Sequence, residues 1–139
     1  VIHGMLLKPS YTEEDLLGYL GDSCVTEVYG LGGMSSIAGP AYARFTGATF
    51  AEAKERTEKA RAVSLGEHTF APIPWDEYRG FPVGIDARKV VGYNILPISH
   101  GGSALKTGGQ AGAGAAELPL ECFREALRGI RDEALRKQQ

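Results

Sequence analysis

The chain carries only two cysteines, Cys24 and Cys122, with no CxxC pair, a pattern that fits a reducing cytoplasm. Both read as small apolar core residues. Long hydrophobic runs are also missing: nothing reaches the roughly 20 apolar residues that span a bilayer, and no signal-peptide h-region is seen. A cytoplasmic protein with no membrane partner is expected. Excess positive charge is missing too. The 15 Lys and Arg against 17 Asp and Glu give a net charge of −2, and no basic stripe is interleaved with aromatics. Nucleic acid is therefore not an expected partner.

Several site signatures are lacking as well. His3, His68 and His100 show no HExxH or H-x3-H spacing, so no metal is expected. There is no GxxxxGK[ST], no strand-linked GxGxxG with an acidic partner, and no GxSxG around any serine. Those absences remove nucleotide binding and a nucleophile elbow, and no cofactor is expected.

What is abundant is glycine. The 19 glycines among 139 residues are about twice the usual share, without a repeat period, which calls for tight turns and close backbone approaches. The length is that of a single domain, 1–139, able to bury one core.

Residues 1–7 read as an edge strand or an arm. Ser10 and Glu13 stand at capping-box spacing before a helix with Leu16, Leu17 and Leu20 on one side and Gly21 at its end. Residues 24–29 fit strand or helix equally. Gly30, Gly32 and Gly33 then form a turn, packed or ligand-facing, before a small-residue segment limited by Pro40. Thr49 and Glu52 make a second capping box. The helix they open buries Phe50, Ala53, Ala60 and Val63 and has a charged, solvated face with Glu52–Arg56 and Glu55–Lys59 pairs.

Residues 67–83, with three prolines, read as irregular and extended, ending in a strand at 81–83. Asp86 caps a short helix with Val90 and Tyr93 inward. Residues 95–98 form a buried strand that delivers a glycine-rich loop, 100–114. A last helix spans 118–137, with Pro119 in its first turn and an apolar stripe of Leu120, Phe123, Leu127, Ile130, Ala134 and Leu135. The expected fold is α/β: a single compact domain with a small sheet of three or four strands, several helices and a long C-terminal helix.

The chemistry is expected in the loop. Backbone N–H groups at Gly101, Gly102, Gly108, Gly109 and Gly112 would hold an anion, with Lys106 as a point charge and Gln110 as an orienting amide. His100, just beyond the strand, would act as general acid or base or polarise a carbonyl. Glu27, flanked by Val25, Val28 and Tyr29, either faces solvent or is partly buried with a raised pKa that suits catalysis. Asp86 either caps its helix or joins Arg88 in binding substrate, and Arg88 could clamp a carboxylate or phosphate.

Read in order, VTEVYGLGG (25–33), ARFTGATFAEA, FPVGIDARKVV (81–91), ILPISHGG (95–102) and GGQAGAGAAELPLECFREAL (108–127) resemble AllG-type proteins, a subunit family of oxamate carbamoyltransferase. The resemblance covers 24–127, flanked by the arm and helix of 1–23 and the end of the last helix at 128–139. It implies a cytoplasmic protein of anaerobic purine or allantoin nitrogen catabolism. Such a protein would work with partner subunits on oxalurate or oxamate and carbamoyl phosphate, and the shortness of the chain favours a homo- or hetero-oligomer. Proteins of this type are several hundred residues long, and this chain resembles only their C-terminal portion. It also departs at Ile98-Ser99-His100-Gly101-Gly102, where the family pattern has an asparagine-threonine-glycine step followed by Ala-His-Lys.

The functional expectation is an enzyme or enzyme subunit acting on a small anionic amide or carboxylate, by carbamoyl or acyl transfer. The alternatives are a hydrolase or lyase on a small metabolite, and a non-catalytic assembly subunit.

Overall fold

The computed structural model describes residues 3–17 and 24–138. Among them, five strands form two antiparallel sheets. The larger has the order β1 (His3–Leu6), β5 (Gln110–Glu117), β4 (Ile98–Ala104). The smaller is a ribbon of β2 (Ser64–Pro72) and β3 (Gly80–Ile85). Five α-helices join them: α1 (Cys24–Tyr29), α2 (Pro40–Phe45), α3 (Phe50–Ala62), α4 (Ala87–Tyr93) and the long C-terminal α5 (Leu120–Arg136). The α/β class, the small sheet and the long last helix are those expected from the sequence.

The central strand β5 reads QAGAGAAE. Its alanines and glycines suit a strand flanked on both edges, where Ala111, Ala113 and Ala115 are all buried. β1 pairs with it from His3↔Ala115 to Leu6↔Gly112, and β4 from Ile98↔Glu117 to Ala104↔Gln110. The expected glycine-rich loop is thus a β-hairpin, and its strand begins at Ile98 rather than Ile95. With β5 laddered on both sides, Gly112 lies inside the sheet, and Gly101 and Gly102 lie in the edge strand β4 rather than in a loop. Only residues 105–109 turn, with Gly108 and Gly109 at φ of 93° and 92°.

The core lies between α3, the 3-10 segment Gly32–Ala38 and the ribbon. Ile37, Ile73 and Phe81 pack together, with Leu31, Ala71 and Val83 against them. α3 starts as its capping box predicts: the Glu52 N–H donates to Thr49 Oγ1 at 3.2 Å, and Thr49 N–H donates to Glu52 Oε2 at 2.7 Å. Its buried face is small (Ala53, Thr57, Ala60), so the 3-10 segment approaches closely and the Ile37 N–H reaches Thr57 Oγ1 at 3.2 Å. Trp75 Nε1 closes the cluster by donating to Ile37 O at 2.6 Å. Pro40 ends the 3-10 segment and opens α2 at its first turn, where its missing N–H costs nothing.

Other local expectations change. Thr12, not Ser10, caps the first turn, with Asp15 as its partner, and the result is a short 3-10 turn, Glu13–Asp15. The same three-residue spacing recurs two positions later, and Leu16 leaves it to bridge Leu105. The rest of that expected helix, with Leu20 and Gly21, lies outside the described residues. Residues 67–83 are ordered as most of the β2–β3 ribbon. A two-stranded ribbon has no inner strand, so Pro82 removes no essential ladder bond. Val90 is fully buried, but Tyr93 and Phe50 are exposed. Cys122 lies exposed on α5, not in the core. No residue of α5 is fully buried: Phe123 and Leu127 are half-covered as α5 packs on α4, while Ile130 and Leu135 face solvent.

Candidate functional site

On one face of the β4–β5 hairpin, His100 stands directly opposite Ala115, and Gly102 opposite Ala113. Residues opposed in an antiparallel pair share a face, so small neighbours leave room beside the imidazole. A cavity of about 540 Å³ opens there. Its floor is His100, Gly101, Gly102, Gln110 and Ala113, and its walls are Thr26, Glu27 and Gly32 on one side with Tyr42 and Phe45 of α2 on the other.

Glu27 is buried despite its charge, at 7% exposure. Helical spacing in α1 turns Val25, Val28 and Tyr29 outward and Glu27 inward. Its Oε2 accepts the Gly33 N–H at 2.9 Å. Gly32, with φ of +76°, passes so close that a Cβ would stand 2.0 Å from Glu27 Oε1. A Cβ on Gly33 would stand 2.3 Å from the Ile98 carbonyl oxygen. The Gly-Leu-Gly-Gly turn therefore packs the carboxylate against β4 by having no side chain in the way.

His100 is 5% exposed. Its Nε2 lies 3.4 Å from Ser36 Oγ, which itself donates to Gly33 O at 2.6 Å. A hydroxyl has one proton, so the serine oxygen meets the ring as an acceptor, which favours N–H on Nε2 and the lone pair on Nδ1. The Tyr42 ring lies edge-on, 5.1 Å between centroids. Burial, reinforced by the positive charge of Arg56, lowers the His100 pKa to about 4. The imidazole is neutral at pH 7, able to donate from one nitrogen and accept at the other.

The structure thus gathers Glu27, His100, Gly101, Gly102 and Gln110 of the sequence candidates around one cavity. Lys106, Gly108, Gly109 and Gly112 do not line it. Lys106 is exposed on the hairpin turn, where its Nζ donates to Glu14 O and its backbone N–H to Asp15 O at 2.8 Å. Asp86 caps α4 through the Arg88 N–H at 2.9 Å, and the Arg88 guanidinium beside it lowers the Asp86 pKa to about 2. Arg88 is 78% exposed and held by Asp86, away from this cavity.

Sequence reasoning missed Thr26, Ser36, Tyr42 and Phe45. The i,i+3 aromatic pair behind Pro40 was the one available signal. Arg56 was placed on a solvated face, whereas it is half-buried with its Nη1 closed off from water, and it lines a cavity with Ile98, Ala115 and Glu117. His68 is separate from the site: its Nε2 is 2.7 Å from the Tyr29 hydroxyl, and its ring stacks on Phe81. Among the described residues no group of three or more His, Cys, Asp or Glu could hold a metal ion, and no helix is long and apolar enough to cross a membrane.

No family model matches the chain. It is 35% identical over 128 residues to the oxamate carbamoyltransferase subunit AllG of Escherichia coli (strain K12), covering 90% of this chain and 30% of that protein. It is 36% identical over 121 residues to the uncharacterized protein YahG of the same organism, covering 86% of this chain and 26% of YahG. A crystal structure of a conserved protein of unknown function from Enterococcus faecalis V583 superposes with a TM-score of 0.87 at 34% identity. That match covers 94% of this chain and 32% of the other. The chain therefore spans about a third or less of the length of the proteins it matches. The resemblance to AllG-type proteins is sequence similarity across nearly the whole chain.

Proposed function

We propose, from the AllG-type similarity that runs through nearly the whole chain, that this protein is an enzyme subunit acting on a small amide-bearing carboxylate by carbamoyl transfer. Its substrate amide lies in the cavity between Glu27 and His100. The observation that carries this reading is the pairing of a buried carboxylate with a neutral, buried imidazole across a cavity of about 540 Å³. An amide presents N–H donors and a carbonyl acceptor on adjacent atoms. Glu27 complements the first and Gln110, which also lines the cavity, carries an amide N–H for the second, in a site where low dielectric strengthens both contacts.

In the transfer step a bond forms between the substrate amide nitrogen and the carbamoyl carbon. The bond from that carbon to its donor's leaving group breaks, and the nitrogen loses one proton. Glu27 and the His100 imidazole are the acceptors positioned for that proton. AllG is a subunit by name, and α5 here leaves Ile130 and Leu135 facing solvent. Both features support a chain that works with other subunits.

The test is binding and turnover with oxamate and carbamoyl phosphate, using the purified chain alone and together with the subunits encoded beside it. Glu27→Gln and His100→Gln are expected to lower turnover by about 100-fold or more, with the fold intact by circular dichroism. Undiminished turnover in both variants would remove the cavity from the mechanism. Oxamate that binds neither the chain nor the assembly would remove the substrate class.

A further inference from the structure

On the same hairpin face, beyond His100, a second cavity of about 470 Å³ is lined by Ile98, Ala115, Ala116, Glu117, Pro119 and the α3 residue Arg56. We propose that this cavity binds an anionic oxo group, a carboxylate or a phosphate, through Arg56.

Arg56 is half-buried, and its Nη1 is shut off from water with no hydrogen-bond partner among the described residues. Other arginines of the core side are neutralised. Arg61 meets Asp76 at 2.6 Å and Glu58 at 2.6 Å, and Arg79 meets Glu58 at 2.9 Å. No described carboxylate lies within ion-pair distance of Arg56. Glu117, the one acid lining the cavity, is exposed and forms no such pair.

A guanidinium cannot shed its proton, and although the charge of Arg56 is felt by Glu52 one turn away, an anion entering the cavity would give it a direct counter-charge. The cavity is of small-ligand size, and Ala115 and Ala116 line it together with Arg56. The 17-residue helix α5 starts at its rim, and the N-cap Pro119 provides no side chain to the first-turn N–H groups. Those donors add to the same positive end.

The site is coupled to His100 electrostatically. Arg56 is the charge that helps hold the imidazole pKa down. An anion on Arg56 cancels part of that field and raises the His100 pKa, making the imidazole a better proton acceptor once the cavity is filled. The inference does not depend on which reaction the neighbouring cavity performs.

The experiment titrates the purified protein with inorganic phosphate and, separately, with oxalate. Ionic strength is held constant with chloride, and melting temperature and the His100 imidazole resonances are followed by NMR. One or both anions are expected to raise Tm saturably, by about 5 °C at ten times the Kd. The His100 titration is expected to move upward from about 4. Arg56→Gln is expected to weaken the response at least tenfold. A response to phosphate alone assigns a phosphoryl ligand, to oxalate alone a carboxylate, and to both a general oxo-anion site. If Arg56→Gln does not fold, the His100 shift in the unaltered protein decides. An effect of neither anion beyond chloride overturns the proposal, as does an equal effect in Arg56→Gln. Because no turnover is measured, failure here and failure of the carbamoyl-transfer reading are separate results.

Discussion

The Glu27 carboxylate and the Gly33 backbone amide are joined by a 2.9 Å hydrogen bond, and that bond fixes an acid of α1 beside the histidine of β4. The two residues are six apart in sequence, and the turn between them contains no side chain that could displace the carboxylate. The site is thus assembled by a close backbone approach more than by charge pairing.

Gly32→Ala tests that assembly. Its Cβ would stand 2.0 Å from Glu27 Oε1, at a backbone φ of +76° that alanine adopts with strain. A stability loss of about 1–3 kcal/mol is expected in urea denaturation, together with loss of oxamate binding. Retention of both would show that Glu27 moves freely.

The histidine gives a pH signature. The folded-state pKa of His100 is about 4, below the unfolded value of 6.5. The unfolded chain therefore binds the extra proton first as pH falls. The stability contributed by the neutral ring is fully present above about pH 6.5 and is lost as pH drops toward 4. One proton allows a slope of at most about 1.4 kcal/mol per pH unit. Denaturation midpoints measured across this window should fall with pH, and the slope should be shallower in His100→Gln.

A buried ion pair elsewhere is structural. Arg61 Nη2 lies 2.6 Å from Asp76 Oδ2, both side chains being 5% exposed or less, and Arg61 also donates to Gly80 O at 2.8 Å. This ties α3 to the turn and start of the ribbon. Asp76→Ala removes one partner of a desolvated pair and is expected to cost about 3 kcal/mol. Guanidinium denaturation measures it, and a loss below about 1 kcal/mol would mean that Glu58 alone satisfies Arg61.

Lys106 makes the opposite prediction from the one its glycine-rich surroundings suggest. Held on the exposed hairpin turn by Glu14 O and absent from the cavity, it is expected to tolerate Lys106→Ala. Oxamate affinity should stay within about twofold and stability within about 1 kcal/mol. Calorimetry on the variant checks both.

The sequence by itself determined the elements whose signals are local. Thr49 and Glu52 write the start of α3 into four residues, Asp86 does the same for α4, and the spaced apolar residues after Pro119 are enough to make α5 a helix. It also singled out His100 and Glu27, because an ionisable residue among apolar or glycine neighbours is conspicuous in any fold. The hairpin was not legible. In Ser-His-Gly-Gly-Ser-Ala and Gln-Ala-Gly-Ala-Gly-Ala-Ala the two faces of a strand carry hydrogen atoms, methyls and hydroxyls alike, so alternation leaves no contrast to read. What made these residues strands was pairing across the sheet, with β5 held between β1 and β4 by bonds to residues about 110 positions away at one edge. Tertiary structure alone likewise decided that Lys106 points away, that Thr26, Tyr42 and Phe45 line the cavity, and that Arg56, written on a charged helix face, ends half-buried in a cavity lined by Ala115 and Glu117. Helix caps act within one turn, whereas burial depends on which distant backbone arrives opposite.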